Sequence, residues 1–325
     1  MTTLDFAPME SLGSAVFRRL HARYFGGVDH YYIAFVTPTR EPHFTARQLR
    51  ELAPEVNAGL NAIPQLLTRR AEDFLWAAKT LSDMGYREVN LNLGCPAGTV
   101  VAKGKGAGFL RDPAELESFL QKIFDANLPI AISVKTRLGW SDPAEFEALA
   151  EIFNHFPISQ LTLHARVKTD FYKGHARLDA FEGALKLLKM PVGFNGDIVT
   201  ASDIVAAKKR FPSVSQIMVG RGLVADPALF RKAQGGSAAT KEELRSFTEE
   251  LFSDYSSLWG NQRNALMRMK EYWFLLSNLF DGDVARDLKA LFKARTEKDY
   301  EAALDVLFSE PIRSEAQFGW FKPLT

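Results

Sequence analysis

Residues 89–108 read VNLNLGCPAGTVVAKGKGAG, a strand, a cysteine and a loop around which the rest of the chain is organised. Val89, Leu91 and Leu93 alternate with Asn90 and Asn92, the period of a half-buried strand. The strand breaks at Gly94. Cys95, the only cysteine among 325 residues, comes next, and Pro96 forbids a return to the ladder. A glycine- and lysine-bearing loop follows, with no apolar stripe before Phe109 and Leu110. A lone thiol at the carboxyl end of a strand, followed by a long loop, suggests a reactive group under a mobile lid. A buried cysteine acting as a small hydrophobe is the commoner fate of that residue.

Seven further apolar runs share this grammar: LDFAPM from Leu4, YYIAFVT from Tyr31, AIPQLL from Ala62, IAISVKTR from Ile130, QLTLHAR from Gln160, PVGFNGD from Pro191 and QIMVGRG from Gln216. With Val89 included, the starts lie 27, 31, 27, 41, 30, 31 and 25 residues apart, and a helical segment follows each run. Eight alternating units predict an α/β fold, a closed (β/α)₈ TIM barrel rather than an open doubly wound sheet. The third strand is the weakest, because Pro64 lies inside it. The 41-residue interval is the longest, and its surplus falls after Cys95, where a lid would be inserted. Helix starts are marked by Asp112-Pro113, with Glu115 placed for a capping box, and by Ser141-Asp142-Pro143 and Asp226-Pro227.

The barrel accounts for residues 1–236. After Gly235-Gly236 the strand signal stops, and Leu266, Met269, Trp273, Leu276 and Phe280 form a three-four stripe. Residues 237–325 therefore read as a small C-terminal helical domain. Arg263 and Lys270 flank that stripe, and for the charges alone a solvated helix face is the better account. The net charge of +1 points to no particular partner. Residues 237–325 hold 12 Lys plus Arg against 15 Asp plus Glu, a net of −3, which leaves +4 for the barrel. No apolar run approaches the ~18 residues of a membrane span, and MTTLDFAPMESLGS lacks the regions of a secretory signal. A single cysteine suits a reducing cytoplasm. No membrane contact, metal or stable protein partner is expected, and the chain is expected to be a monomer.

In a barrel the residues at the carboxyl ends of the strands converge on one mouth. Here those residues are Ala7-Pro8-Met9, Gln65, Asn92 with Cys95, Lys135 with Arg137, His164 with Arg166, Asn195-Gly196-Asp197 and Gly220-Arg221-Gly222. Each has a bland explanation by itself: a core histidine, a snorkelling lysine, a turn. Six in succession point to a site. Barrels often bind phosphate after strands seven and eight, where glycine lets backbone amides approach and Arg221 adds charge. Lys135 then serves a second group, and a cation beside the N1/C2 edge of a flavin stabilises its reduced form. FMN fits this set; a phosphorylated sugar meets the same physical criteria.

These residues also carry a resemblance. The chain resembles the tRNA-dihydrouridine synthases through APM at 7–9, NLGCP at 92–96 with GKGAG at 104–108, VKTRLGW at 134–140, HAR at 164–166 with Tyr172 and Gly174, NGD at 195–197 and VGRG at 219–222. The resemblance implies an FMN-dependent enzyme that reduces a tRNA uridine to 5,6-dihydrouridine with NADPH, and a helical domain that helps hold the RNA. It implies that Pro8 and Met9 pack on the flavin, that Gln65, Lys135 and His164 contact its ring, and that Asn195, Gly196, Asp197, Gly220 and Arg221 hold its ribityl chain and phosphate. Cys95 is implied as the proton donor to C5 of uracil, with hydride reaching C6 from flavin N5. Asn92, Arg137, Arg166 and Tyr172 would surround the base. Lys103, Lys105, Arg166, Lys168 and Lys173 at the mouth, with Arg263 and Lys270 farther off, are placed by sequence to meet phosphates. The chain departs from many relatives at Ala34, where an acidic residue is usual, and at Gly98, where a lysine is.

Two other readings compete. One is an FMN barrel acting on a free pyrimidine, similar to dihydroorotate dehydrogenases, for which the extra ~90 residues have no use. The other is a tRNA-binding module without chemistry, for which Cys95, Lys135 and His164 have none. No G-x-G-x-x-G loop is present, so a nicotinamide would bind transiently over the flavin.

Overall fold

The computed structural model describes residues 2–281 and 284–317. The last part of the expected helical domain, 318–325, lies outside the described residues. Parallel strands β1 (Thr3–Phe6), β2 (His30–Tyr32), β3 (Ala62–Ile63), β4 (Gln65–Leu66), β5 (Glu88–Asn92), β6 (Ala131–Arg137), β7 (Leu161–His164), β8 (Val192–Asn195) and β9 (Gln216–Val219) pair in the order β3-β2-β1-β9-β8-β7-β6-β5-β4. β3 and β4 are the two halves of the third expected strand. Pro64 parts them because it has no amide to donate, yet its carbonyl still accepts from Asn90 N at 2.9 Å. The two ends of the order therefore belong to one strand, and the sheet closes as an eight-stranded TIM barrel.

Alternation sorts the side chains. Leu4, Phe6, Ile217 and Val219 enter the main core under the helices, while Ala7, Tyr32, Ile63 and Met218 form a separate apolar cluster. Gln216 donates to Asp5 at 2.5 Å and to the Tyr32 hydroxyl at 3.1 Å, and accepts from Thr162 at 2.6 Å. A Cβ on Gly193 would lie 2.0 Å from Gln216 Oε1, so only glycine leaves room for this buried amide.

The outer helices start much as expected. Asp142 and Glu145 form a reciprocal capping box. At Asp112 the box is half formed: Asp112 caps the Glu115 amide at 3.0 Å, but the Glu115 carboxylate turns to Arg69 at 2.5 Å. Asp226 pairs with Lys232 at 2.5 Å and also takes a backbone hydrogen bond from Ala228, and the helix there begins at Leu229.

The stretch expected as a mobile lid is folded down. It holds a short helix, Gly98–Val101, and a 3₁₀ turn, Gly106–Arg111, in which Gly106 through Leu110 are buried. Phe109 anchors it edge-on against Phe119, with ring centroids 5.3 Å apart. Gly106, at φ +57°, lets the turn press onto Cys95; a Cβ there would lie 2.8 Å from the Cys95 carbonyl oxygen.

Helices Lys241–Trp259, Gln262–Leu276, Ala285–Lys293 and Glu297–Leu307 make the C-terminal part. Its apolar residues join the core of the barrel. Phe17, on the first barrel helix, stacks on Tyr272 at 5.5 Å and meets Phe247 edge-on at 6.0 Å; such pairs contribute about 0.5–1.5 kcal/mol each beyond area burial. Tyr255 links Ser14 Oγ at 2.5 Å to the Tyr272 hydroxyl at 2.9 Å, and Tyr272 donates to the Leu12 carbonyl at 2.8 Å. The expected stripe is buried, but the helix ends at Leu276, and Phe280 packs beyond the turn Ser277–Leu279. No described helix is long and apolar enough to cross a membrane.

Candidate active site

A cavity of about 470 Å³ opens where the strands end. Twelve of the residues expected to have a role at the site line it: Pro8, Met9, Asn92, Cys95, Lys135, Arg137, His164, Tyr172, Asn195, Gly196, Gly220 and Arg221. Gln65, Arg166 and Asp197 do not; they stand behind the wall.

Cys95 is partly exposed and sits on a turn shaped by its own strand. Asn92 Oδ1 accepts the Cys95 amide at 2.9 Å and the Gly94 amide at 3.0 Å. Asn92 Nδ2 donates to Gln65 Oε1 at 2.8 Å, Gln65 Nε2 to Asn90 Oδ1 at 2.7 Å, and Asn90 Nδ2 to Ser133 Oγ at 2.8 Å. The Cys95 carbonyl accepts from Ala107 N at 3.0 Å. The Cys95 backbone is thus held from both sides. Burial pushes its pKa up, outweighing Arg137 and Lys135, so the group is a thiol at neutral pH.

Lys135 Nζ donates to Asn195 Oδ1 at 2.9 Å, and Asn195 Nδ2 donates to the Met218 carbonyl at 2.8 Å. Burial, then Arg137, pulls the Lys135 pKa down to about 7. Arg137 is buried and ties the loops together: Nε donates to the Gly94 carbonyl at 2.8 Å, and Nη1 to the Val167 and Phe171 carbonyls at 3.1 and 2.8 Å. That last bond holds Phe171 at φ +52°, a strained conformation of the kind that gathers at functional sites. Tyr172 follows, with the guanidinium carbons of Arg137 and Arg221 5.3 and 5.2 Å from its ring centroid.

His164 Nε2 lies 3.2 Å from Arg166 Nη1. Arg166, with a fully buried side chain, also meets both Asp197 carboxylate oxygens, at 2.8 and 2.9 Å. Burial is the main cause that keeps the His164 pKa well below its ordinary value, with Arg137, Lys135, Arg166 and Arg221 acting in the same direction.

Arg166, expected to meet a phosphate, is instead buried and turned to Asp197, and the other residues proposed for phosphates lie farther out. Lys103 is exposed and Lys105 half-buried on the turn after Cys95, and Lys173 is exposed beside Tyr172. Lys168 Nζ sits 4.5 Å from the Trp140 ring centroid and 4.7 Å from that of Phe171. Arg263 is exposed on helix 262–276, whereas Lys270 donates to the Ala294 carbonyl at 3.0 Å. Sequence reasoning missed Glu10, Phe35, Glu271, Phe274 and Leu275, all on the cavity wall. Glu10 directly follows the APM motif. Phe274, an aromatic off the buried stripe, is the only hint that this helix reaches the mouth.

The donor set suits a flavin with a phosphate. Lys135, Arg137 and Arg221 bring positive charge to the cavity, and among the described residues no carboxylate lies within 4.0 Å of Lys135 or Arg137, Glu10 and Glu271 standing elsewhere on the wall. The wall at Gly220 is equally specific, since a Cβ there would lie 2.8 Å from Met9 Sδ.

Comparison with known proteins agrees with this geometry. A family model described as dihydrouridine synthase matches residues 5–310. A probable tRNA-dihydrouridine synthase of Rhodobacter capsulatus is 30% identical over 268 residues, covering 78% of this chain and 80% of the relative. A tRNA-dihydrouridine(16) synthase of Neisseria meningitidis is 28% identical over 320 residues, 94% of each chain. Among solved structures, 2-naphthoyl-CoA reductase superposes with a TM-score of 0.54 at 12% identity, over 72% of this chain and 50% of its own. Morphinone reductase does so at 0.50 and 12%, over 74% and 87%. The structural likenesses bear on the fold alone.

Proposed function

The chain belongs to the dihydrouridine synthase family, and from that premise we propose that it reduces a uridine of tRNA to 5,6-dihydrouridine, with FMN bound in the barrel mouth and NADPH as reductant. The observation that carries this reading is the place of Cys95 on the wall of one cavity with Lys135, Arg137 and Arg221. When bound, the flavin supplies the hydride that adds to C6 of the uracil ring.

Everything else falls to the chain. Cys95 holds a proton for C5, and general acids of this kind typically contribute 10²–10⁴-fold. Arg137 supplies positive charge where the uracil becomes enolate-like, and Lys135 would serve the flavin ring, in a site fixed before the reaction begins. Asn195 steers Lys135, while Asn92, backed by Gln65, keeps the thiol on its turn. Arg221 and the glycines at 196 and 220 hold the phosphate end of the flavin. Residues 1–236 form the catalytic unit and 237–325 a tRNA-binding one, whose helix 262–276 contributes Glu271, Phe274 and Leu275 to the cavity. A uridine in folded tRNA must be splayed out of its stack to enter.

The test is direct. Purified protein should be yellow and release FMN on denaturation. With NADPH and unmodified tRNA it should form dihydrouridine, read by nucleoside mass spectrometry. Flavin-loaded protein that forms none would overturn the assignment.

A further inference from the structure

We propose that Arg166 is a positioning residue that locks His164 in its Nδ1–H tautomer, so that the imidazole offers the cavity one neutral N–H donor. The argument begins with the 3.2 Å contact between Arg166 Nη1 and His164 Nε2. A guanidinium carries five N–H donors and no acceptor, and it does not deprotonate in proteins. The ring nitrogen it faces must therefore accept. A neutral imidazole has one donor and one acceptor, so the proton resides on Nδ1.

The charged ring is unavailable. An imidazolium would bring N–H against N–H at the Arg166 contact. It would also add charge to a wall already holding Lys135 and Arg137 from β6, Arg166 after β7 and Arg221 after β9, which keep the ring neutral. The other titratable groups nearby are Tyr172, whose ring centroid lies 6.1 Å from that of His164, and Asp197, which is turned to Arg166.

Arg166 cannot swing away. Its Nη2 donates to both Asp197 oxygens, at 2.8 and 2.9 Å, and to the Gly174 carbonyl at 2.6 Å, and its Nε to the Lys173 carbonyl at 3.3 Å. Asp197 Oδ2 is fixed in turn by the Ala176 amide at 2.7 Å. The tautomer is thus written by a chain running from the loop after β8 through the loop after β7. A group meeting His164 in the cavity must then be an acceptor, a carbonyl oxygen or an unprotonated ring nitrogen. Only that last step rests on the proposed flavin; the tautomer does not.

Two-bond ¹H–¹⁵N correlation of histidine side chains reads the tautomer directly. The protein is measured as purified with its flavin and again after flavin removal, with His164→Gln identifying the resonance. Wild type should show a pyrrole-type Nδ1 and a pyridine-type Nε2 for His164 from pH 6 to 8. Arg166→Lys keeps a donor and should keep the pattern, whereas Arg166→Met should populate the Nε2–H form. An Nε2–H or imidazolium signature in the wild type would overturn the proposal, as would an unchanged Nδ1–H pattern in Arg166→Met. The wild-type spectrum decides even if Arg166→Met does not fold. Absence of flavin from the purified protein would count against the cofactor assignment and leave the tautomer measurement standing.

Discussion

The amide of Cys95 donates to Oδ1 of Asn92 at 2.9 Å, within a turn that the Gly94 amide also closes on that oxygen. A strand residue thereby fixes the backbone that carries the thiol. Asn92 has no rotamer freedom to lose this role, because Gln65 holds its other end.

Asn92→Ala should therefore destabilise the protein. Two amides and the Gln65 oxygen lose a partner, and each buried polar group left unmatched costs about 1–3 kcal/mol. Partial access of water from the cavity brings the expected total to roughly 2–4 kcal/mol, read as a lower urea midpoint at unchanged slope.

Cys95→Ala should leave the fold and flavin content intact. NADPH should still reduce the bound flavin, while dihydrouridine forms at least ~100-fold more slowly in single turnover. Equal rates in the two proteins would remove the thiol from the chemistry.

Lys135 predicts a dependence on pH. Its pKa falls to about 7 in the folded chain from an ordinary 10.5. The folded state therefore bears the full cost of the charged amine below about pH 7, and stability rises as pH climbs from there toward the ordinary value. Lys135→Met should raise the melting temperature of flavin-free protein more at pH 6 than at pH 9. The gain at pH 6 should be about 1–3 kcal/mol, as for other buried ions replaced by apolar groups. In the wild type an anionic ligand should restore the proton, visible at pH 8 as a buffer-dependent heat of binding.

Arg221→Ala should weaken flavin retention. One charge-assisted contact is worth about 1.5–3 kcal/mol, or roughly ten- to a hundredfold in affinity. Equilibrium dialysis of FMN against both proteins measures it, and an unchanged dissociation constant would detach Arg221 from the phosphate.

For tRNA, the slope of log affinity against log salt should become shallower by about 0.7–0.9 per phosphate contact removed. Lys103→Ala with Lys105→Ala, and separately Arg263→Ala with Lys270→Ala, should each lower affinity and slope while NADPH oxidation stays level. Lys270 already serves the Ala294 carbonyl, so the second pair should lose nearer one contact than two. Wild-type slopes in both variants would redirect the RNA path.

The barrel was legible from local pattern. Alternation at 89–93 and its seven counterparts mark the strands, since a pleat has period two wherever it lies in the chain. Strand ends converge by geometry, so the polar residues there could be gathered before any coordinate was known. The break at Pro64 was equally local. The folding of 98–111 against Cys95 was not, because Gly106 and Gly108 read alike as flexible loop or as points of close approach until a neighbour is in place.

The eight strands, the polar set at their ends and the single thiol among them follow from the order of residues alone, because period and position along the chain suffice for these. Only the tertiary structure decided that Gln65, Arg166 and Asp197 turn away from the cavity to hold Asn92 and His164, and that Glu271 and Phe274 of a distant helix turn toward it. A polar side chain's partner is chosen by distances of about 3 Å between segments far apart in sequence, and those distances exist only once the barrel has closed and the C-terminal helices have packed against it.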